Sequence, residues 1–239
     1  MSHLLGDLRN KLLTENRVFS IGEANKVVNT IYNECVIATS DRFHGPFFYE
    51  ICPLLTIANK LGDEVSSIQF TGAHSGFDGL LFVGDELEHK VEMTAAIDSH
   101  NDALQMELLA ERRHAPAFQK VDAEGTKRNR QFGKNELSAF NVDDYSNHRL
   151  LPLLEMAIQR KTSKATTSKD YKNAWLGIVF DDHFQTNEDR KKARFDPLCR
   201  WMLGDSGRSC APFSRVFFIG VSRAYIFDSD IDLARESEE

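Results

Sequence analysis

Two acidic residues, Asp78 and Glu92, are separated by thirteen residues that read as strand, tight turn and strand. Residues 76–83 (GFDGLLFV) and 89–95 (HKVEMTA) are short β-prone runs, and Gly84-Asp85-Glu86 between them predicts a hairpin. Side chains alternate across a strand, so Lys90, Glu92 and Thr94 share one face, and a hairpin brings Asp78 towards Glu92. Two carboxylates on adjacent strands suit one or two hard divalent cations, with water and phosphate oxygens completing the shell. Such a cation polarises a phosphodiester and makes hydroxide from water, while a nearby ammonium offsets the charge that develops. Lys90 is the ammonium that alternation puts on this face, and the Thr94 hydroxyl can position a water or a phosphate oxygen.

Charge along the chain is segregated around this pair. The 239 residues carry a formal net charge of −7. The segment 228–239 accounts for −5 of it, with six acids against Arg235. Residues 78–102 hold seven acids and one lysine, whereas 111–136 hold seven basic residues and four acids, and 158–172 five basic residues and Asp170. An acidic pocket flanked by basic segments suits a polyanion with metal ions between, and solvated helix faces give the same pattern. Arg112, Arg113, Lys120, Lys127, Arg128 and Arg130, interleaved with Phe118 and Phe132, are candidates to follow a phosphate backbone. Lys161, with Lys164, Lys169 and Lys172, makes a second candidate clamp.

Other chemistries find no pattern. The eight histidines form no HExxH or HxH, and His100, at the start of the helix after the strand bearing Glu92, is the one that could approach the pair. Cys35, Cys52, Cys199 and Cys210 are widely spaced without a CxxC, which argues against zinc and disulfides and fits a reducing cytosol. There is no GxxxxGK[ST] phosphate loop and no G-x-S-x-G elbow. No apolar run reaches the roughly 18 to 20 residues of a membrane span, so a cytoplasmic protein is expected.

The elements that must hold the pair follow from periodicity. Residues 4–13 predict a short amphipathic helix, and Ser20 with Glu23 a capping box opening a helix to about Val36. Helices are also expected over 47–61, with Pro53 early in it, and over 98–114, 150–161 and 188–203. Strands are expected at 67–70, at the two runs above, at WLGIVF (175–180), at RVFFIG (215–220) and at 224–227 along an edge. The continuous apolar runs imply burial on both faces. The basic stretch 118–132 reads as a hairpin or ordered loop, 135–147 as a connector and 162–169 as a loop. The order implies an α/β fold, a central mixed β-sheet flanked by helices. Its segments would be an N-terminal helical part (1–45), the α/β domain (46–227) and an acidic tail (228–239).

Gly-Phe-Asp-Gly followed by Val-Glu-x-Thr, within residues 47–114, resembles the core of PD-(D/E)xK (restriction-endonuclease-like) nucleases. The phrases VEMTAAIDSHNDALQMELL and GTKRNRQF resemble a bacterial group with this core and Thr in place of the motif Lys. The resemblance implies a restriction-endonuclease-like core and hydrolysis of nucleic acid, DNA before RNA. It implies Mg²⁺ or Mn²⁺ held by Asp78 and Glu92, with Glu50 on the preceding helix as a further acid. Phe77 stands in place of the motif Pro, and Thr94 where the catalytic Lys belongs. Lysines migrate in this superfamily, so Lys90, Lys127 or Lys161 would take that part. The competing expectation is a catalytically decayed core that binds nucleic acid or protein. A third is an interaction factor whose acidic C-terminus engages a basic partner, and a homodimer is compatible with each.

Overall fold

The computed structural model describes Leu12 and residues 17–35, 47–71, 76–97, 123–124, 131–132, 145–165, 171–182, 185, 187–204 and 210–230. A short strand, β1 (Val18–Ser20), leads directly into helix α1 (Ile21–Cys35). The capping box forms: Glu23 N–H donates to Ser20 Oγ at 3.3 Å, and Ser20 N–H to Glu23 Oε2 at 3.2 Å. A π-helical turn (Phe47–Ile51) then runs into helix α2 (Cys52–Leu61). Pro53 falls in the first turn of α2, where its missing N–H has no helical partner to lose. Gly62 ends the helix at a φ of +57°, a conformation a β-carbon would oppose.

Strands β2 (Ser67–Phe70), β3 (Gly79–Val83) and β4 (Glu86–Ala96) form an antiparallel meander, with β1 paired to β2 outside it. A small ladder, β5 (Ala123–Glu124) with β6 (Gln131–Phe132), stands apart as its own two-stranded sheet. A second π-helical turn (Tyr145–Leu150) opens helix α3 (Leu151–Ala165), which carries the chain to β7 (Trp175–Phe180). Helix α4 (Glu188–Leu203) leads on to β8 (Arg215–Gly220) and the edge strand β9 (Ile226–Asp228). The main sheet has seven strands in the order β1-β2-β3-β4-β7-β8-β9. Pairing is parallel for β4–β7 and β7–β8 and antiparallel elsewhere. The protein is therefore α/β, with a mixed sheet flanked by four helices.

Each face of the sheet has its own core. Val91, Met93, Val179, Phe217 and Ile219 pack beneath α1 and α2, while Leu176, Ile178, Phe180 and Phe218 pack beneath α3 and α4. Every residue of β7 and β8 is buried, as their unbroken apolar sequences require. Close approach is written into two glycines. A β-carbon on Gly79 would meet Leu54 Cδ2 at 2.0 Å, and one on Gly177 would meet Met93 Sδ at 2.4 Å.

Several boundaries differ from the sequence reading. The helix expected over 47–61 is split by the π turn at Ile51. The run expected as a loop from 162 is helical to Ala165, because the buried stripe Leu154, Ala157, Ile158 continues to it. The Thr162 hydroxyl bonds back to the Ile158 carbonyl at 3.0 Å, within the helix. The connector ends in the π turn at Tyr145, and β4 begins three residues before His89. Asp228, first of the C-terminal acids, is buried in β9, where both carboxylate oxygens accept from Arg215, at 2.8 and 2.5 Å. The helices expected over 4–13, except Leu12, and over 98–114 lie outside the described residues.

Candidate active site

Strand β4 changes character halfway along. Glu86 to Glu88 are exposed and Val91 to Thr94 buried, so the face shared by Lys90, Glu92 and Thr94 runs from solvent into the protein. Glu92 and Thr94 are 3 % and 4 % exposed. Asp78 immediately precedes β3, and its backbone is fixed on both sides. Its N–H donates to the Val91 carbonyl at 3.1 Å, and its carbonyl accepts from Thr71 N–H at 3.2 Å. Its carboxylate Oδ2 accepts the Met93 N–H at 2.7 Å. The hairpin thus brings Asp78 beside Glu92, as the spacing predicts.

Helix α3 supplies the cations. Lys161 lies on the stripe of Leu154, Ala157 and Ile158 and ion-pairs with Glu92 Oε1. Lys164 Nζ stands 3.6 Å from the same oxygen and 5.7 Å from the centre of the Tyr171 ring. Contact with Tyr171 and the charge of Glu92 raise the Lys164 pKa above its ordinary value. Glu50, in the first π turn, lies within electrostatic reach of Asp78, Lys161 and Glu92.

Electrostatics tie these residues together. Burial pushes the Glu50 carboxyl up to about 7, the Asp78 charge adds to it, and Lys161 opposes Glu92 in the remainder. Asp78 is also raised, first by burial, against the Met93 N–H that favours its anion and with the Glu92 charge adding to the rise. Carboxyl groups that hold their protons against nearby acids gain most when a cation replaces the proton.

The residues around the carboxylates are anchored. Tyr171 Oη donates to the Gly76 carbonyl at 3.1 Å, its ring lies 5.0 Å from that of Phe77, and the Thr71 hydroxyl bonds the Phe77 carbonyl. Lys90 is exposed and its Nζ lies 5.2 Å over the Phe77 ring, so it sits at the rim while Lys161 touches Glu92. Thr94 is engaged by Arg160, whose Nη2 donates to Thr94 Oγ1 at 2.5 Å. A guanidinium thus stands against the strand position two residues beyond Glu92 on the same face.

The donor set fits a hard cation, because Asp78, Glu92 and Glu50 offer only carboxylate oxygens. Among the described residues no three Asp, Glu, His or Cys side chains are grouped so that they could hold a metal ion together. Mg²⁺ commonly takes one or two carboxylates and completes its shell with water and phosphate. Asp78 and Glu92, with Glu50 beside them, match that demand once Lys161 yields its oxygen.

The remaining candidates divide. Lys161 joins the carboxylates, whereas Arg112, Arg113, Lys120, Lys127, Arg128, Arg130, Lys169 and His100 lie outside the described residues. Sequence reasoning did not single out Arg160 or Tyr171. A signal for Lys161 existed, since a lysine on the buried stripe of an amphipathic helix requires a buried counter-charge. No family model matches the chain, and no curated protein and no solved structure matches it either. No helix among the described residues is long and apolar enough to cross a membrane.

Proposed function

We propose that the protein is a divalent-cation-dependent phosphodiester hydrolase acting on nucleic acid, built on a restriction-endonuclease-like core. The observation that carries this reading is the buried meeting of Asp78 and Glu92, beside Glu50, with Lys161 delivered from the next helix. The order α2, β2, β3, β4, α3, β7 supports it, because it unites an antiparallel meander and a parallel strand around the acids. Asp78 and Glu92 would hold Mg²⁺ or Mn²⁺, with Glu50 as the third acid. When bound, the ion supplies a Lewis acid for the phosphate and lowers the pKa of water. Glu50, with its pKa raised to about 7, gives up its proton near neutrality, and its carboxylate would then be available to the cation. With the ion on Glu92, Lys161 would be freed from that oxygen, and its ammonium would stand ready to offset the charge that grows on the phosphate. Tyr171 and Thr71 hold the Gly76–Asp78 segment so that the Asp78 carboxylate keeps its direction.

A second reading, a non-catalytic core that binds nucleic acid or protein, is favoured by Thr94 in place of the motif Lys and by the pairing of Glu92 with two lysines. Hydrolysis of bis(p-nitrophenyl) phosphate with Mn²⁺ separates the two. The hydrolase reading predicts turnover that EDTA abolishes and that the Asp78→Ala/Glu92→Ala variant lacks. Equal turnover in that variant would sink the assignment.

A further inference from the structure

We infer that the site works on an unpaired strand, and that Arg160 with the cleft beside it seats the nucleotide next to the reacting phosphodiester; this rests on the hydrolase reading above. The cleft has a volume of about 450 Å³, and its walls include Ala95, Ile97, Leu153, Met156, Ala157 and Arg160. It lies against the inner end of β4, where Arg160 meets Thr94. Thr94 is two residues beyond Glu92 on the same face, about 7 Å along the strand. The cleft and the carboxylates therefore lie along the same strand, β4, and against the same helix, α3.

Size and chemistry specify the occupant. Small-molecule pockets span roughly 300 to 1,000 Å³, so this cleft is of a size to seat one nucleoside. Leu153, Met156 and Ala157 give it apolar walls, and Met156 is 57 % exposed, a large hydrophobe held at the surface of α3. A thioether packs well against an aromatic ring, and stacking of this kind tolerates any base. Phosphate binding comes from the same flank. Arg160 and Lys164 are four residues apart and so lie side by side on α3. The guanidinium carries five donors in a planar fork suited to phosphate, and Thr94, itself buried, takes one of them and fixes its orientation. A cation pinned between an apolar cleft and a carboxylate pair is the arrangement a nucleotide needs: base in the cleft, phosphate on the fork, next phosphate at the acids.

The test is fluorescence anisotropy of a labelled twelve-nucleotide DNA, single-stranded and as duplex, in EDTA so that binding is read without turnover. The single strand should bind at least about tenfold more tightly than the duplex. Arg160→Gln and Met156→Glu should each weaken single-strand binding by about tenfold, and Arg160→Lys should recover part of the first loss. Thermal melts check that each variant is folded. Duplex binding equal to or tighter than single-strand binding would overturn the inference, as would single-strand affinity indifferent to both variants. Hydrolysis of bis(p-nitrophenyl) phosphate by the wild-type protein reads the chemistry separately. Turnover together with indifferent variants would remove the cleft's role and keep the hydrolase. Arg160-dependent single-strand binding without turnover would remove the hydrolase and keep the cleft.

Discussion

On the proposed reading Lys161 and a divalent cation would compete for one oxygen, Glu92 Oε1, which makes the proposal testable residue by residue. Without metal, Lys161→Met leaves a nearly buried carboxylate with Lys164, at 3.6 Å, as its remaining ion-pair partner among the described residues. The variant should lose about 2 to 3 kcal/mol of stability, somewhat less than breaking a fully buried pair. Its affinity for Mn²⁺, measured calorimetrically, should nevertheless rise about tenfold. Its kcat should fall about a hundredfold, because the ammonium is missing when charge develops. Weaker Mn²⁺ binding in the variant would contradict the competition. Glu50 gives the pH dependence. Its folded pKa of about 7 exceeds the ordinary 4.5, so its contribution to stability is present below 4.5 and is lost as pH rises through 7. Metal binding has the opposite sign, since the ligand must be ionised. Mn²⁺ affinity should therefore climb through pH 7, and Glu50→Gln should flatten both profiles. Parallel profiles for wild type and variant would show that Glu50 is not a ligand. Asp78, Glu92 and the shared face of β4 were legible in the sequence because strand alternation is a local rule. Arg160 was not, because its meaning depends on which strand α3 packs against.

At the scale of elements, β4 is the organising piece. Its antiparallel neighbour β3 brings Asp78, and the crossover to its parallel neighbour β7 brings α3 with Lys161. One strand thus receives an acid from one side and a cation from the other. The far ends of β7 and β8 are fixed by a different buried group. Lys191 Nζ donates to Asp182 Oδ2 at 2.5 Å and to Ser222 Oγ at 2.6 Å, while Ser222 N–H donates to Asp182 Oδ1 at 2.8 Å. Gly220 leaves room for it, since a β-carbon there would stand 2.2 Å from Asp182 Oδ2. Lys191→Ala should cost about 3 to 5 kcal/mol in a denaturant melt, and adding Asp182→Asn should restore part of that. A loss under about 1 kcal/mol would mean that water already reaches the pair. The capping box, α4, β7 and β8 were legible because their signals are strong and local. Strand β1 was not, since three residues carry no period and depend on β2 for pairing. The end of α3 was misread because Ser, Thr and Lys composition suggested a loop, while Ala165 continued the buried stripe.

For the whole molecule, the fold sets two acids of the segment 78–102, Asp78 and Glu92, beside the cations of α3, while Asp85, Glu86 and Glu88 stay exposed. The net charge of −7 does not describe the site itself, because residues 228–239 alone carry −5 of it and residues 158–172 are basic. The mixed sheet was legible from the order of the elements, but its strand order was not, because parallel pairing across α3 is settled by long-range contact. The central claim, that Asp78 and Glu92 hold a divalent cation for phosphodiester hydrolysis, is tested most directly on nucleic acid itself. Purified protein is incubated with mixed DNA and RNA strands in Mn²⁺, beside the same reaction in EDTA and beside Glu92→Gln. The account predicts cleavage products in the first reaction and none in the other two. Cleavage of equal extent in all three would contradict it.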